Sequence, residues 1–126
     1  MANTLKHQQV VVLGASAKPD RFAYKAVKLL IRNGHTVIPV HPKLMDISGH
    51  KVVHSLTEIN TSVDTLTLYV GPQRSQSMIE DIIALNPSRV IFNPGTESEL
   101  LEQALSNADI AFEYNCTLIM LETGTF

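Results

Sequence analysis

Gln9-Val-Val-Val-Leu13 is apolar almost throughout, shows no alternation with polar residues, and stops at Gly14. A strand with one wet face alternates, whereas a strand covered on both faces does not. The segment therefore reads as a buried parallel strand, and parallel strands require crossover connections, usually helices. The next residues supply one. Phe22 to Asn33 carries Ala23, Ala26, Val27, Leu30 and Ile31 at helical spacing, the pattern of a helix with one apolar face. Gly34 stands just past its end, where a left-handed residue is expected. Thr36-Val-Ile-Pro-Val40 follows as a second strand. Pro39 has no amide to donate, so this strand should be near its end or at a sheet edge there.

The same alternation resumes further on. Thr65 to Val70 is rich in β-branched residues and runs into Gly71-Pro72. Gln73 to Leu85 places Met78, Ile79, Ile82 and Ile83 on one side, which predicts a helix, and Asn86-Pro87 stops it. Arg89 to Phe92 reads as a strand ending in Asn93-Pro94-Gly95. Thr96-Glu-Ser-Glu99 matches a capping box, in which a hydroxyl and a carboxylate reciprocally satisfy free amides. It predicts a helix that buries Leu100, Leu101, Ala104, Leu105 and Ala108. Ile110 to Phe112 is the last clear strand, and Cys116 to Leu121 fits either a strand or a short helix. Between the two halves, His41 to Asn60 is less regular. Val52-Val53 suits a short strand, and Ser55-Leu-Thr-Glu58 suits a capped single turn. The order predicts an α/β chain: a doubly wound, mostly parallel sheet of five to six strands with helices on both faces.

The length of 126 residues fits one domain spanning residues 1–126. The single cysteine, Cys116, excludes an internal disulfide framework and a Cys-rich zinc site. No apolar run reaches the roughly 18 residues of a membrane span, and Met1 to Gln9 lacks the apolar centre of a signal peptide. The expectation is a cytoplasmic protein without a membrane or nucleic-acid partner, since no basic run with interleaved aromatics occurs. The net charge of −2 conceals a separation: residues 1–63 carry +5 and residues 64–126 carry −7. All five histidines also lie in the first part. That asymmetry suits an anionic ligand near the positive half, although Lys25, Lys28 and Arg32 also suit a solvated helix face.

In an open parallel sheet, ligands bind beyond the carboxyl ends of the strands, where strand order reverses. There this sequence places Gly14-Ala15-Ser16-Ala17-Lys18-Pro19-Asp20-Arg21, His41-Pro42-Lys43, Gly71-Pro72-Gln73-Arg74 and Asn93-Pro94-Gly95. Each glycine also suits a tight turn; three together at one edge favour binding. The first loop is neither the G-x-G-x-x-G dinucleotide fingerprint nor a P-loop. It is long and polar, with backbone amides near Ala15 and Ser16 expected to be free, and with Lys18 and Arg21 as cations. Such a loop can hold a pyrophosphate. NAD binders usually place a carboxylate after the second strand to bond the ribose. This chain places His41, Pro42 and Lys43 there, which speaks for a nucleotide with a phosphorylated ribose. NADP and coenzyme A both qualify.

Val12-Leu-Gly-Ala-Ser16 with Pro19 and Arg21, Gly34-His-Thr-Val-Ile-Pro-Val-His-Pro-Lys43, Ile91-Phe-Asn-Pro-Gly-Thr-Glu97 and Cys116-Thr-Leu-Ile-Met-Leu121 together resemble the small stand-alone bacterial CoA-binding proteins. These are similar to the N-terminal CoA-binding domain of succinyl-CoA synthetase α subunits. The resemblance implies a Rossmann-like domain that binds coenzyme A or an acyl-CoA. It implies Gly14, Ala15 and Ser16 at the phosphates with Arg21 nearby, and Val40, His41, Pro42 and Lys43 facing the adenosine end, with Lys43 at the 3′-phosphate. Gly71, Arg74 and Asn93-Pro94-Gly95 would flank the rest of the cleft. His41 departs from the resemblance, which leads one to expect asparagine. The synthetase relatives carry their phosphorylated histidine in a second domain, so the expectation here is a non-enzymatic carrier, sensor or accessory module. An NADP-binding oxidoreductase component is the alternative, and a domain that has lost its ligand is a third. Cys116 is the one candidate nucleophile, near enough to the sheet edge to meet a CoA thiol or else simply structural. Monomer, homodimer and an enzyme partner are all compatible with the sequence, with the Cys116 to Phe126 tail packing on the sheet or on another copy.

Overall fold

The computed structural model describes residues 7–126; of the N-terminal stretch read above as lacking a signal peptide, residues 1–6 lie outside it. Along the chain run β1 (Gln9–Leu13), α1 (Phe22–Arg32), β2 (Thr36–Val40), β3 (Asp46–Ile47), β4 (His50–Lys51), a 3-10 turn at Leu56–Glu58, β5 (Thr65–Leu68), α2 (Pro72–Gln76), α3 (Ile79–Leu85), β6 (Arg89–Phe92), α4 (Glu99–Asn107), β7 (Ala111–Tyr114) and α5 (Thr117–Thr123). Five strands form one sheet in the order β2-β1-β5-β6-β7, every pair parallel. This is the doubly wound, Rossmann-like arrangement expected. β2 lies at an edge, as Pro39 requires.

The sheet is buried on both faces because β1 sends its residues two ways. Val11 and Leu13 join Leu66, Leu68, Ile82, Val90, Phe92, Leu101 and Leu105 on the face covered by α3 and α4. Val10 and Val12 join Val27, Leu30, Ile47, Val52 and Leu121 under α1 and α5. Burying one such aliphatic side chain contributes about 1.5–3 kcal/mol, so an uninterrupted apolar strand is the cheapest sequence for this position. The C-terminal tail packs on its own chain: Met120 and Leu121 are buried, and the Phe126 ring meets the His35 ring at 5.3 Å between centroids.

Several local expectations are corrected. The helix read over Gln73 to Leu85 is two helices. The Ser77 hydroxyl donates to the Arg74 carbonyl at 2.9 Å, and the Ser77 and Met78 amides bond three residues back. A serine that competes for backbone carbonyls tightens and interrupts a helix in this way. The cap of α4 is Ser98, whose hydroxyl accepts from the Leu101 amide at 3.2 Å. Thr96 instead donates its hydroxyl to the Asn93 carbonyl at 2.7 Å and closes the preceding turn. Leu100, expected inside, is 52% exposed. Ser55 caps its turn through the Thr57 amide rather than by a reciprocal pair with Glu58. The last strand extends to Tyr114, and the apolar run after Cys116 is a helix.

The irregular segment holds a small hairpin, β3-β4, that the sequence reading did not anticipate. Its two-residue loop, Ser48-Gly49, has φ of 50° and 82°, the left-handed pair that matches the twist of a tight hairpin. Val53 forms an isolated parallel bridge with Val40 in place of a strand.

At the amino end of the sheet, Arg89 is fully engaged. Its Nε donates to Thr65 Oγ1 at 2.8 Å, Nη1 to Glu113 Oε2 at 3.2 Å and Nη2 to the Phe126 carbonyl at 2.6 Å. The guanidinium also lies 4.6 Å from the centre of the Phe126 ring.

Candidate functional site

Strand order reverses at β1: the chain passes to β2 on one side and returns to β5 on the other. Beyond the carboxyl ends of these strands opens a cleft of about 590 Å³. Its walls are the loop after β1, the start of α1, His41 after β2, Tyr69 after β5 and Arg74 on α2.

Gly14 makes the first turn feasible. Its φ is +88°, and a Cβ there would stand 2.7 Å from Val70 Cγ1 and 2.9 Å from the Tyr69 backbone. Only glycine lets the two loops touch. The Gly14 and Ala15 amides both donate to the Val40 carbonyl, at 3.2 and 3.1 Å. The expectation of a free Ala15 amide is thereby corrected: the neighbouring strand end claims it. Ser16 Oγ accepts from the Lys18 amide at 3.1 Å, while the Ser16 and Ala17 amides have no hydrogen-bond partner among the described residues.

Arg21 stands at the capping position before α1 and gives no side-chain cap, and the first turn of the helix holds no acidic residue. Phe22 and Ala23 from that turn line the cleft. An uncapped helix start presents free amides and a partial positive charge. Lys18, Arg21 and Arg74 are exposed and in no ion pair among the described residues, and Asp20 is the carboxylate among the lining groups.

His41 contributes from the β2 end. Its Nδ1 accepts from the Lys43 amide at 3.0 Å and the Leu44 amide at 3.1 Å. Burial first, then Arg74, Lys43 and His54, hold its pKa below the ordinary 6.5. Tyr69 forms part of the wall. Its hydroxyl is buried with no well-formed hydrogen bond among the described residues, near Thr67 and Thr117, whose hydroxyls bond each other at 2.7 Å. Burial is the main cause that pushes the phenol up to about 12, so it stays a neutral donor.

The structure thus brings Gly14, Ala15, Ser16, Arg21, His41 and Arg74 together around one cleft. Val40 lies beneath it and anchors the loop through its carbonyl. Pro42 and Lys43 are exposed on the turn beyond His41, and Gly71 caps α2 one turn before Arg74. Asn93 is buried and its side chain fully used: Nδ2 donates to Thr67 Oγ1 at 2.7 Å and the Leu68 carbonyl at 2.8 Å, and Oδ1 accepts from the Thr117 amide at 2.9 Å. Pro94 and Gly95 are exposed on the following turn, where the Gly95 amide donates to Glu97 at 3.1 Å. Asn93, Pro94 and Gly95 do not line the cleft. Cys116, half-buried at the start of α5, does not line it either.

Sequence reading missed Tyr69, Phe22 and Ala23 as lining groups, and it placed Asp20 in the lining loop without giving it a role. The signal for Tyr69 was its place between a strand and Gly71-Pro72. Phe22 and Ala23 were read only for their helical periodicity.

The family model described as a CoA binding domain matches residues 8–122. The chain belongs to that family. It is 41% identical to a crystal structure of an uncharacterized protein, with a TM-score of 0.85, covering 97% of this chain and 100% of that one. It is similar to the uncharacterized protein YneT of Bacillus subtilis (strain 168), at 27% identity over 78 residues, which are 62% of this chain and 58% of YneT. The chain thus matches little more than half the length of this curated relative. A likeness of fold alone extends to the dinucleotide-forming acetyl-coenzyme A synthetase 1 of Ca. Korarchaeum cryptofilum in complex with phosphate and ADP. There the identity is 18% and the TM-score 0.70, over 87% of this chain and 26% of that one. Among the described residues, no helix of this CoA-binding-family chain is long and apolar enough to cross a membrane.

Proposed function

We propose that the cleft binds coenzyme A or an acyl-CoA, and that the protein acts as a non-enzymatic carrier, sensor or accessory module. The observation that carries this reading is the uncapped, acid-free start of α1, which opens into a cleft bearing three cations that have no ion pair among the described residues. Such a helix start is a ready anion site, and the volume lies within the range of small-molecule clefts, about 300–1,000 Å³.

On this reading the pyrophosphate meets the Ser16 amide, the first turn of α1, Arg21 and Arg74, with Lys18 at the rim. Gly14 and Ala15 shape the floor on which it rests. Val40, His41, Pro42 and Lys43 face the adenosine, with Lys43 at the 3′-phosphate. Gly71 and the Asn93-Pro94-Gly95 turn border the path of the remaining arm, Asn93 as a structural brace. A cleft dominated by positive charge supports holding a polyanion, which is the task of a carrier or sensor.

Calorimetry with CoA, dephospho-CoA and NADPH tests the reading. CoA should bind, and dephospho-CoA about tenfold or more weakly, for the loss of one charge-assisted contact. Equal binding of the two removes the role given to Lys43. No binding of either removes the function, and preference for NADPH moves the chain to the dinucleotide alternative.

A further inference from the structure

The turn from His41 to Leu44 is assembled around an unprotonated ring nitrogen. A nitrogen that accepts two amides, as His41 Nδ1 does from Lys43 and Leu44, has no room for a proton. In the neutral ring the proton therefore sits on Nε2. The backbone fixes the start of the turn, since the His41 amide donates to the Val53 carbonyl at 3.0 Å and the Val53 amide to the Pro39 carbonyl at 2.9 Å. Its far end meets a second histidine, with His54 Nε2 3.1 Å from the Leu44 carbonyl. Asparagine commonly performs this service, its side-chain oxygen accepting amides two or three residues on.

We propose that His41 is a positioning residue that builds the turn carrying Lys43, so that ligand affinity falls when acid protonates Nδ1 and the turn opens. This rests on the cleft being the CoA site described above. Besides its own burial, the groups that face the ring are Arg74 from α2, Lys43 on the turn and His54 from the segment after β4. All three oppose a charge on His41. The turn-formed state therefore binds a proton less readily than a freely solvated histidine, whose ordinary value is 6.5. Above 6.5 the turn is intact; as pH falls from 6.5 through the lowered value, protons favour the open form. An imidazolium acting merely as a charge would do the opposite and attract phosphate more strongly in acid.

The experiment has two arms, both on the full chain. Nitrogen NMR without ligand should show the Nε2–H tautomer at His41 at about pH 7.5, with the Lys43 and Leu44 amides shifting in step with the ring as pH is lowered to about 5.5. CoA titrations over the same range should show His41→Ala weak throughout. His41→Asn should rescue binding and lose the part of the pH dependence that the ring contributes, about tenfold per pH unit below its pKa. His54→Gln should keep that part. Each of three results overturns the proposal: an Nδ1–H tautomer, a pH profile of His41→Asn identical to that of the natural chain, or affinity that rises in acid through His41. If CoA fails to bind at all, the ligand reading fails by itself. The NMR arm then decides the turn: amides that follow the ring support it, and amides that ignore the ring overturn it.

Discussion

Arginines stand at both ends of the parallel sheet and meet opposite fates. At the amino end, Arg89 is held by a hydroxyl, a carboxylate, a backbone carbonyl and an aromatic face. At the carboxyl end, Arg21 and Arg74 border a cleft with no ion pair among the described residues. Nothing in residue type separates them. The difference comes from topology. The amino ends of the strands are closed over by the chain itself, including Phe126, whereas at the carboxyl end the crossovers after β1 and β5 leave for opposite faces of the sheet and open a cleft beside the point where their loops touch. One end uses its charge for cohesion, and the other keeps its charge available.

Substitutions can break this contrast. The largest effect is expected from Gly14→Ala at the open end. The new Cβ meets a backbone and a branched side chain at a positive φ, which should cost about 3 kcal/mol. A urea titration would read it as a lowered midpoint, and an unchanged midpoint would mean that the two loops yield easily. Arg89→Ala comes next, at about 2 kcal/mol for the loss of charge-assisted bonds in a partly buried site. CoA affinity of the folded variant should be unaltered, and a fall in affinity would show the two ends to be coupled. Arg21→Ala and Arg74→Ala invert that pattern. Stability should stay within about 0.5 kcal/mol, while CoA affinity drops about tenfold each by calorimetry.

The smallest expected effect concerns the two histidines, one at each end, whose pKa values are both lowered. Burial is the first cause for each; His7 and Arg89 add to it at His35, as Arg74, Lys43 and His54 do at His41. His35 Nδ1 accepts from the Gln8 amide at 3.1 Å. The unfolded chain takes up the proton first, so stability is full above 6.5 and declines as pH falls below it through the lowered value. His35→Asn keeps an acceptor for Gln8 and should flatten the pH dependence of the urea midpoint without moving the acid limb of CoA binding. A shifted binding limb would merge two ends that are here kept apart.

The buried strands were legible because cover on both faces makes them continuous apolar runs, and Pro39 marked its edge. The hairpin was not, since strands of two residues are too short to show a period. The break at Ser77 was hidden for another reason: the apolar positions Met78 to Ile83 all follow it and carry no mark of it, while the serine acts through its hydroxyl on the backbone. The cleft was legible as a set of loops, because topology alone brings strand ends together. The partner of each amide was not. The Ala15 amide is spent on Val40, a residue far along the chain, and Tyr69 was counted as strand rather than wall.

Asn93 joins places that are far apart in sequence, taking the Thr67 hydroxyl, the Leu68 carbonyl and the Thr117 amide at once. That bracket sets an order of assembly. The Thr117 amide finds its acceptor only after β6 has been laid beside β5, so α5 should dock as a late step in folding. In the native protein the two Asn93 side-chain amide hydrogens should then exchange with solvent only when the middle of the sheet comes apart, making this one side chain a clock for global opening.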